Sequence, residues 1–111
     1  MNKKEVMAMP DIDLNQESLR LVGNKIPIGF FAKHGWDPTH DIAAAWQLAR
    51  TILAEGDERQ IEIVIRKNKS AVEIWDGPFG ESRLIVEEIV EDQLPRAIAR
   101  ASIVAMTEED K

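Results

Sequence analysis

Gln60-Ile61-Glu62-Ile63-Val64-Ile65-Arg66 is the clearest strand in the sequence. Isoleucine returns at 61, 63 and 65, so the period is two, and in an extended chain these side chains share one face. β-Branched residues suit such a strand because their stiff side chains pack well on a pleated surface. Just downstream, Lys67-Asn68-Lys69 supplies a turn, with Asn68 tolerant of the left-handed region. Ala71-Val72-Glu73-Ile74-Trp75 then alternates again, with Val72 and Ile74 on one face and Ala71, Glu73 and Trp75 on the other. Asp76-Gly77-Pro78-Phe79-Gly80 is a second loop, and Arg83 to Val90 reads as a third strand. Connections this short join antiparallel neighbours, since parallel strands need a long crossover. The expectation is a three-stranded antiparallel meander.

Ile61, Ile63, Ile65, Val72, Ile74, Leu84 and Val86 compose the expected core face. The opposite face mixes Glu62, Glu73 and Glu87 with Val64, Trp75, Ile85 and Ile89. A fully solvated face is more polar than this, and a fully buried one lacks glutamates. The second face is therefore read as partly covered, with residues 10–32 as its cover while two long helices take the first face.

Those helices flank the sheet in sequence. Ile42, Ala45, Trp46, Ala49, Ile52 and Leu53 recur at helical spacing, which predicts a helix from Asp37 or Thr39 to Ala54. Pro38 fits its first position, Asp41 its first turn, and Gly56 its end. After the sheet, a helix is predicted from near Asp92 to about Met106, with Pro95 in the first turn and Leu94, Ile98, Ala101, Val104 and Ala105 buried. Residues 2–9 form a short helix that stops before Pro10. Asp11 to Gly23 is a second helical stretch carrying Leu14, Leu21 and Val22. Lys25 to Ala32 reads as extended, with Pro27 restricting it to a sheet edge or an irregular run. The polar tail 107–111 is expected to fray.

The resulting class is α+β: a three-stranded antiparallel meander, with room for an extra edge strand, covered by helices on both faces as an α/β/α sandwich. The chain is read as a single domain, residues 1–111, with 1–32 a variable N-terminal segment. Ile42, Trp46, Ala49, Leu53, Ile63, Val72, Ile74, Val86, Ile98 and Ala101 are the predicted core. On that reading Trp46→Ala costs about 3–5 kcal/mol.

Composition narrows the function. At 111 residues, 44% hydrophobic and 31% charged, the chain suits one folded domain rather than two or a disordered segment. With no cysteine it has no disulfide framework, thiolate metal site or cysteine nucleophile. A net charge of −6 disfavours general binding to nucleic acid or anionic lipid. Ile26 to Ala32 is the longest apolar stretch and falls far short of the ~18 residues that suggest a spanning helix. Lys3-Lys4 has no apolar segment behind it, so it does not read as a signal peptide.

Candidate sites are few. Glu62, Glu73 and Glu87 converge on one sheet face and are residue types that hold a hard cation or act as acid and base. Charged strand residues more often mark solvent, and these lie within reach of Arg66. Trp75, with Phe79 on the following loop, makes a candidate aromatic patch for a ligand or partner. His34 and His40, with Asp37 and Asp41 interspersed, are types that zinc accepts, but an ordinary polar helix entry is the stronger reading and no metal site is assigned. Arg66, Lys67 and Lys69 make a basic tip, and Arg96 and Arg100 stand four apart on the last helix. No phosphate-binding glycine motif or nucleophile elbow occurs, so no catalytic residue and no cofactor is assigned.

Gly35-Trp36-Asp37-Pro38-Thr39-His40-Asp41-Ile42-Ala43-Ala44-Ala45-Trp46-Gln47-Leu48 resembles the Trp-x-Pro-Ser/Thr-x-Asp-Ile-Ala-Ala-Ala-Trp segment of the phage ABA sandwich domain family. Gln93-Leu94-Pro95-Arg96-Ala97-Ile98-Ala99-Arg100-Ala101-Ser102-Ile103 is similar to that family's closing helix, with Ala99 where a cysteine is common. The resemblance covers roughly residues 34–106 and implies a doubly covered sheet. It also implies a phage- or prophage-encoded accessory protein in the bacterial cytoplasm, with no activity to carry over. The expected function is a non-catalytic binding module for a host or phage protein or a small ligand. The alternatives are a small metal-dependent hydrolase using the sheet glutamates or the His34–His40 segment, and a minor structural virion component. A homodimer through the mixed sheet face is expected.

Overall fold

The computed structural model describes residues 2–55, 58–78 and 81–109. Asn2 opens α1 (Lys3–Ala8), its side chain accepting a hydrogen bond from the Glu5 N–H at 2.9 Å. Pro10 separates α1 from α2 (Asp11–Val22), whose first turn carries Asp11 and Asp13 against the positive end of the helix dipole. A 3₁₀ turn, Gly23–Lys25, leads to α3 (Ile28–His34) and then α4 (Ile42–Ala54). The sheet follows as β1 (Arg59–Ile65), β2 (Ser70–Asp76) and β3 (Arg83–Glu91), and α5 (Leu94–Glu109) closes the chain. The strands pair antiparallel in the order β1-β2-β3, so the fold is α+β around the expected meander.

The core is organised by α5. Every residue from Ala97 to Thr107 is buried, and a helix buried all round needs neighbours on every side. β2 and β3 lie on one side of it, α4 beside it, and α1 and α2 against the remainder. Its small residues Ala97, Ala99, Ala101, Ser102 and Ala105 let these elements approach closely. Because α4 touches both α5 and β1, the two long helices form one layer over the face that carries Val72, Ile74, Val86 and Ile89. Residues 10–32, expected to cover the second face, instead make their main contacts with α5 through α2.

Several local expectations are corrected. Asp41, not Asp37 or Thr39, caps α4: its side chain accepts from the Ala43 N–H at 3.0 Å. Asp37 builds the preceding turn, its carbonyl accepting from the N–H of His40 at 3.1 Å and of Asp41 at 2.7 Å. The buried stripe of α4 is Ala44, Ala45, Leu48, Ala49 and Ile52. Ile42 is 40% and Trp46 39% exposed, and Leu53 is half-buried. Apolar residues span too wide an arc of α4 for periodicity to fix its rotation, and close docking on α5 selects the alanine side. Lys25 to Ala32 is not extended: Pro27 stands as N-cap of α3, where a missing N–H costs the helix nothing. Thr107, expected to fray, is buried within α5, its hydroxyl donating to the Val104 carbonyl at 2.9 Å.

β3 holds the most consequential change. It has nine residues against seven in β2. Val72 pairs with Ile89 and Ile74 with Val86, so Glu87 and Glu88 together oppose Glu73; Trp75 pairs with Leu84, leaving Ile85 as a second extra residue. The bulges return Ile85 and Ile89 to the core side and send Leu84 to the opposite face. Ile63 is half-buried, and Ile65, at the end of β1, is exposed.

Candidate functional site

The bulges set the outer face of the sheet in three rows. Val64, Ala71 and Val90 stand in register across the strands, as do Gln60, Trp75 and Leu84. Between these rows Glu62 faces Glu73, with Glu87 and Glu88 beyond it on β3. An acidic stripe is thus flanked by an apolar row and by a row in which Trp75 and Leu84 stand beside Gln60. Val64 is 41%, Leu84 37% and Val90 44% exposed. Trp75 is half-buried, packs outside the core cluster, and its Nε1–H makes no hydrogen bond.

Of the expected acidic trio, two members meet and one is replaced. Glu62 and Glu73 are direct cross-strand partners. Glu87 instead reaches α1, its carboxylate 3.4 Å from Lys3 Nζ. Glu88 takes its place: burial first, then the charges of Glu62 and Glu88, push the Glu73 carboxyl above its usual range. Among the described residues none of Glu62, Glu73 or Glu88 forms an ion pair, with Arg66 or otherwise. Phe79 lies outside the described residues. Gly77, two residues after Trp75, has φ 121°, and a Cβ there meets Ser82 Cα at 3.1 Å, so the chain turns away from the tryptophan through a glycine.

The histidines serve different surroundings. His34 stacks on Phe30 with ring centroids 4.6 Å apart. His40 sits between carboxylates, its Nε2 3.2 Å from Asp11 and its Nδ1 3.0 Å from Asp37. Burial pushes the Asp37 carboxyl up, but hydrogen bonds from His40, Asn15 and Thr39 outweigh it and hold the carboxyl below its usual range. Asp11 is held low by Arg96, which donates to both its oxygens at 2.8 Å and raises its own pKa in turn. Among the described residues no three His, Asp or Glu side chains gather into a group that could hold a metal ion.

The arginines of α5 turn inward. Arg96 joins α5 to α2 and also meets Asp92 at 2.5 Å. Arg100, only 6% exposed, donates through Nη1 to the carbonyls of Val6 at 2.8 Å, Met7 at 3.0 Å and Met9 at 3.3 Å. Its Nε lies 2.6 Å from Glu91 Oε1. Both cations are committed to the fold. A groove lined by Lys25, Pro27, Gln47, Arg50 and Thr51 offers less, since Lys25 is tied to Glu55. The outer sheet face remains the candidate site, and its missed members, Leu84, Glu88 and Val90, had one signal in the sequence: Leu84-Ile85-Val86 and Glu87-Glu88 break the alternation. No protein-family model, curated protein or solved structure matches the chain.

Proposed function

We propose that this chain is a non-catalytic binding module that docks a partner on the outer face of its sheet. The observation behind this reading is the exposure of Val64, Leu84 and Val90 around Trp75, on a face whose side chains stay out of the core cluster. Exposed apolar side chains grouped on one face with charged side chains between them mark an interaction site more often than idle surface. The resemblance of residues 35–48 and 93–103 to the phage ABA sandwich family supports an accessory protein of phage or prophage origin working in the host cytoplasm. Among the described residues no helix is long and apolar enough to cross a membrane.

The rival hydrolase reading lacks a gathered ligand set among the described residues. A virion component differs from a binding module in one measurable way: it co-purifies with particles, and proteomics of purified virions separates the two. A homodimer is the second reading of the same face. The exposed apolar side chains favour it. The glutamates oppose it, because a two-fold axis through the face sets Glu62, Glu73 and Glu88 against their own copies.

The test is affinity capture from a bacterial lysate with the wild-type chain and with Val64→Thr/Leu84→Thr/Val90→Thr. These exchanges place β-branched threonine, a good strand former, at three exposed strand positions and leave the fold in place. The reading expects a protein held by the wild type and released by the variant. Identical retained proteins in both arms contradict it.

A further inference from the structure

We propose that the occupant of the outer face is a cationic amphipathic helix belonging to another protein, an inference that rests on the reading of that face as a docking surface. Charge selects the partner's sign. Among the described residues Glu62, Glu73 and Glu88 make no ion pair, Lys3 meeting only the neighbouring Glu87, and the chain as a whole carries a net charge of −6. An anionic ligand or a second copy of this face is repelled, whereas Lys or Arg side chains meet carboxylates already in place.

Geometry selects the helix. Three strands spaced about 4.8 Å apart place β1 and β3 roughly 10 Å from each other, the width of one helix with its side chains. Along the strands, neighbouring rows on one face lie about 6.6 Å apart, since each row is two residues from the next. Four residues of helix rise about 6 Å. A helix laid along the strands therefore matches the three rows with an apolar side chain at position i, a cation at i+4 and an apolar side chain at i+8. The apolar ends pack on the Val64–Ala71–Val90 and Gln60–Trp75–Leu84 rows, and the cation falls on Glu73.

The experiment uses the isotope-labelled 111-residue chain and three synthetic 18-residue helical peptides that share the leucine pattern and carry Lys, Gln or Glu at the intervening positions. The leucine–lysine peptide is expected to shift the amides of residues 60–64, 71–75, 84–90 and to bind more weakly as salt rises. Glu62→Gln/Glu73→Gln/Glu88→Gln is expected to weaken it about tenfold or more. Glu5→Gln/Asp13→Asn/Glu17→Gln, which removes as many charges from α1 and α2, is expected to change it less than about twofold. Equal binding of the glutamine peptide at the same amides overturns the cationic partner while the docking face stands. Equal loss in both triple variants overturns it as well, since the attraction is then diffuse. Amide shifts confined to other surfaces overturn the docking face itself.

Discussion

Glu62 and Glu73 stand opposite each other on β1 and β2, two like charges in direct cross-strand register, neither forming an ion pair among the described residues. Such a pair is mildly unfavourable. Burial and these neighbours raise the Glu73 pKa in the folded protein. A carboxyl whose folded pKa is raised gives stability that is full below its unfolded pKa and lost as pH rises through the folded value. Glu73→Gln is therefore expected to melt above the wild type at pH 7, with the gap closing as pH falls past the folded pKa toward the unfolded value. Thermal melts across that range check it.

Arg96 and Asp11 fasten α5 to α2 through two parallel hydrogen bonds, both side chains largely shielded from solvent. Arg96→Ala is expected to cost about 1.5–3 kcal/mol at pH 7, the range for hydrogen bonds to a charged partner. The sign with pH is opposite to that of Glu73. Asp11 and Asp37 have lowered pKa values, so their contribution is present above the unfolded pKa and lost as pH falls through the folded one. Denaturant titrations are expected to show a smaller acid-induced loss in Arg96→Ala than in the wild type.

Arg100 holds three carbonyls at the end of α1 and lies beside Glu91. Arg100→Ala leaves those groups without their donor in a buried setting, and breaking a buried charged pair costs about 3–5 kcal/mol. Hydrogen exchange is expected to show α1 losing protection before the sheet does.

Trp46→Ala separates the sequence reading from the structure. The periodicity placed Trp46 in the core, with a loss of about 3–5 kcal/mol. At 39% exposure the expected loss falls to about 1 kcal/mol or less, while Leu48→Ala, fully buried one residue pair further along α4, costs about 2–5 kcal/mol. Urea denaturation of both variants ranks them directly.

The strands and long helices were legible because their periods were clean. Ile61 and Ile63 alternate, Pro95 marks the start of α5, and Pro10 separates α1 from α2. What was hidden depended on tertiary contacts. The rotation of α4 is chosen by alanines that dock on α5, and no local preference distinguishes that side from the Trp46 side. Pro27 is compatible with a strand edge and with a helix cap, so α3 was ambiguous from its own residues. At the candidate site Glu62, Glu73 and Trp75 were placed on the correct face, because β1 and β2 pair without interruption. Glu88 and Leu84 were missed because a bulge changes the face of every residue beyond it.

Docking requires that the outer sheet face be open to a partner. Methyl NMR with a soluble paramagnetic probe tests this at several protein concentrations. The Val64, Leu84 and Val90 methyls are predicted to be attenuated as strongly as those of the comparably exposed Leu19 and Ile42, while those of Val72, Ile74 and Val86 stay protected. Protection of Val64, Leu84 and Val90 at every concentration, down to the most dilute, would contradict it.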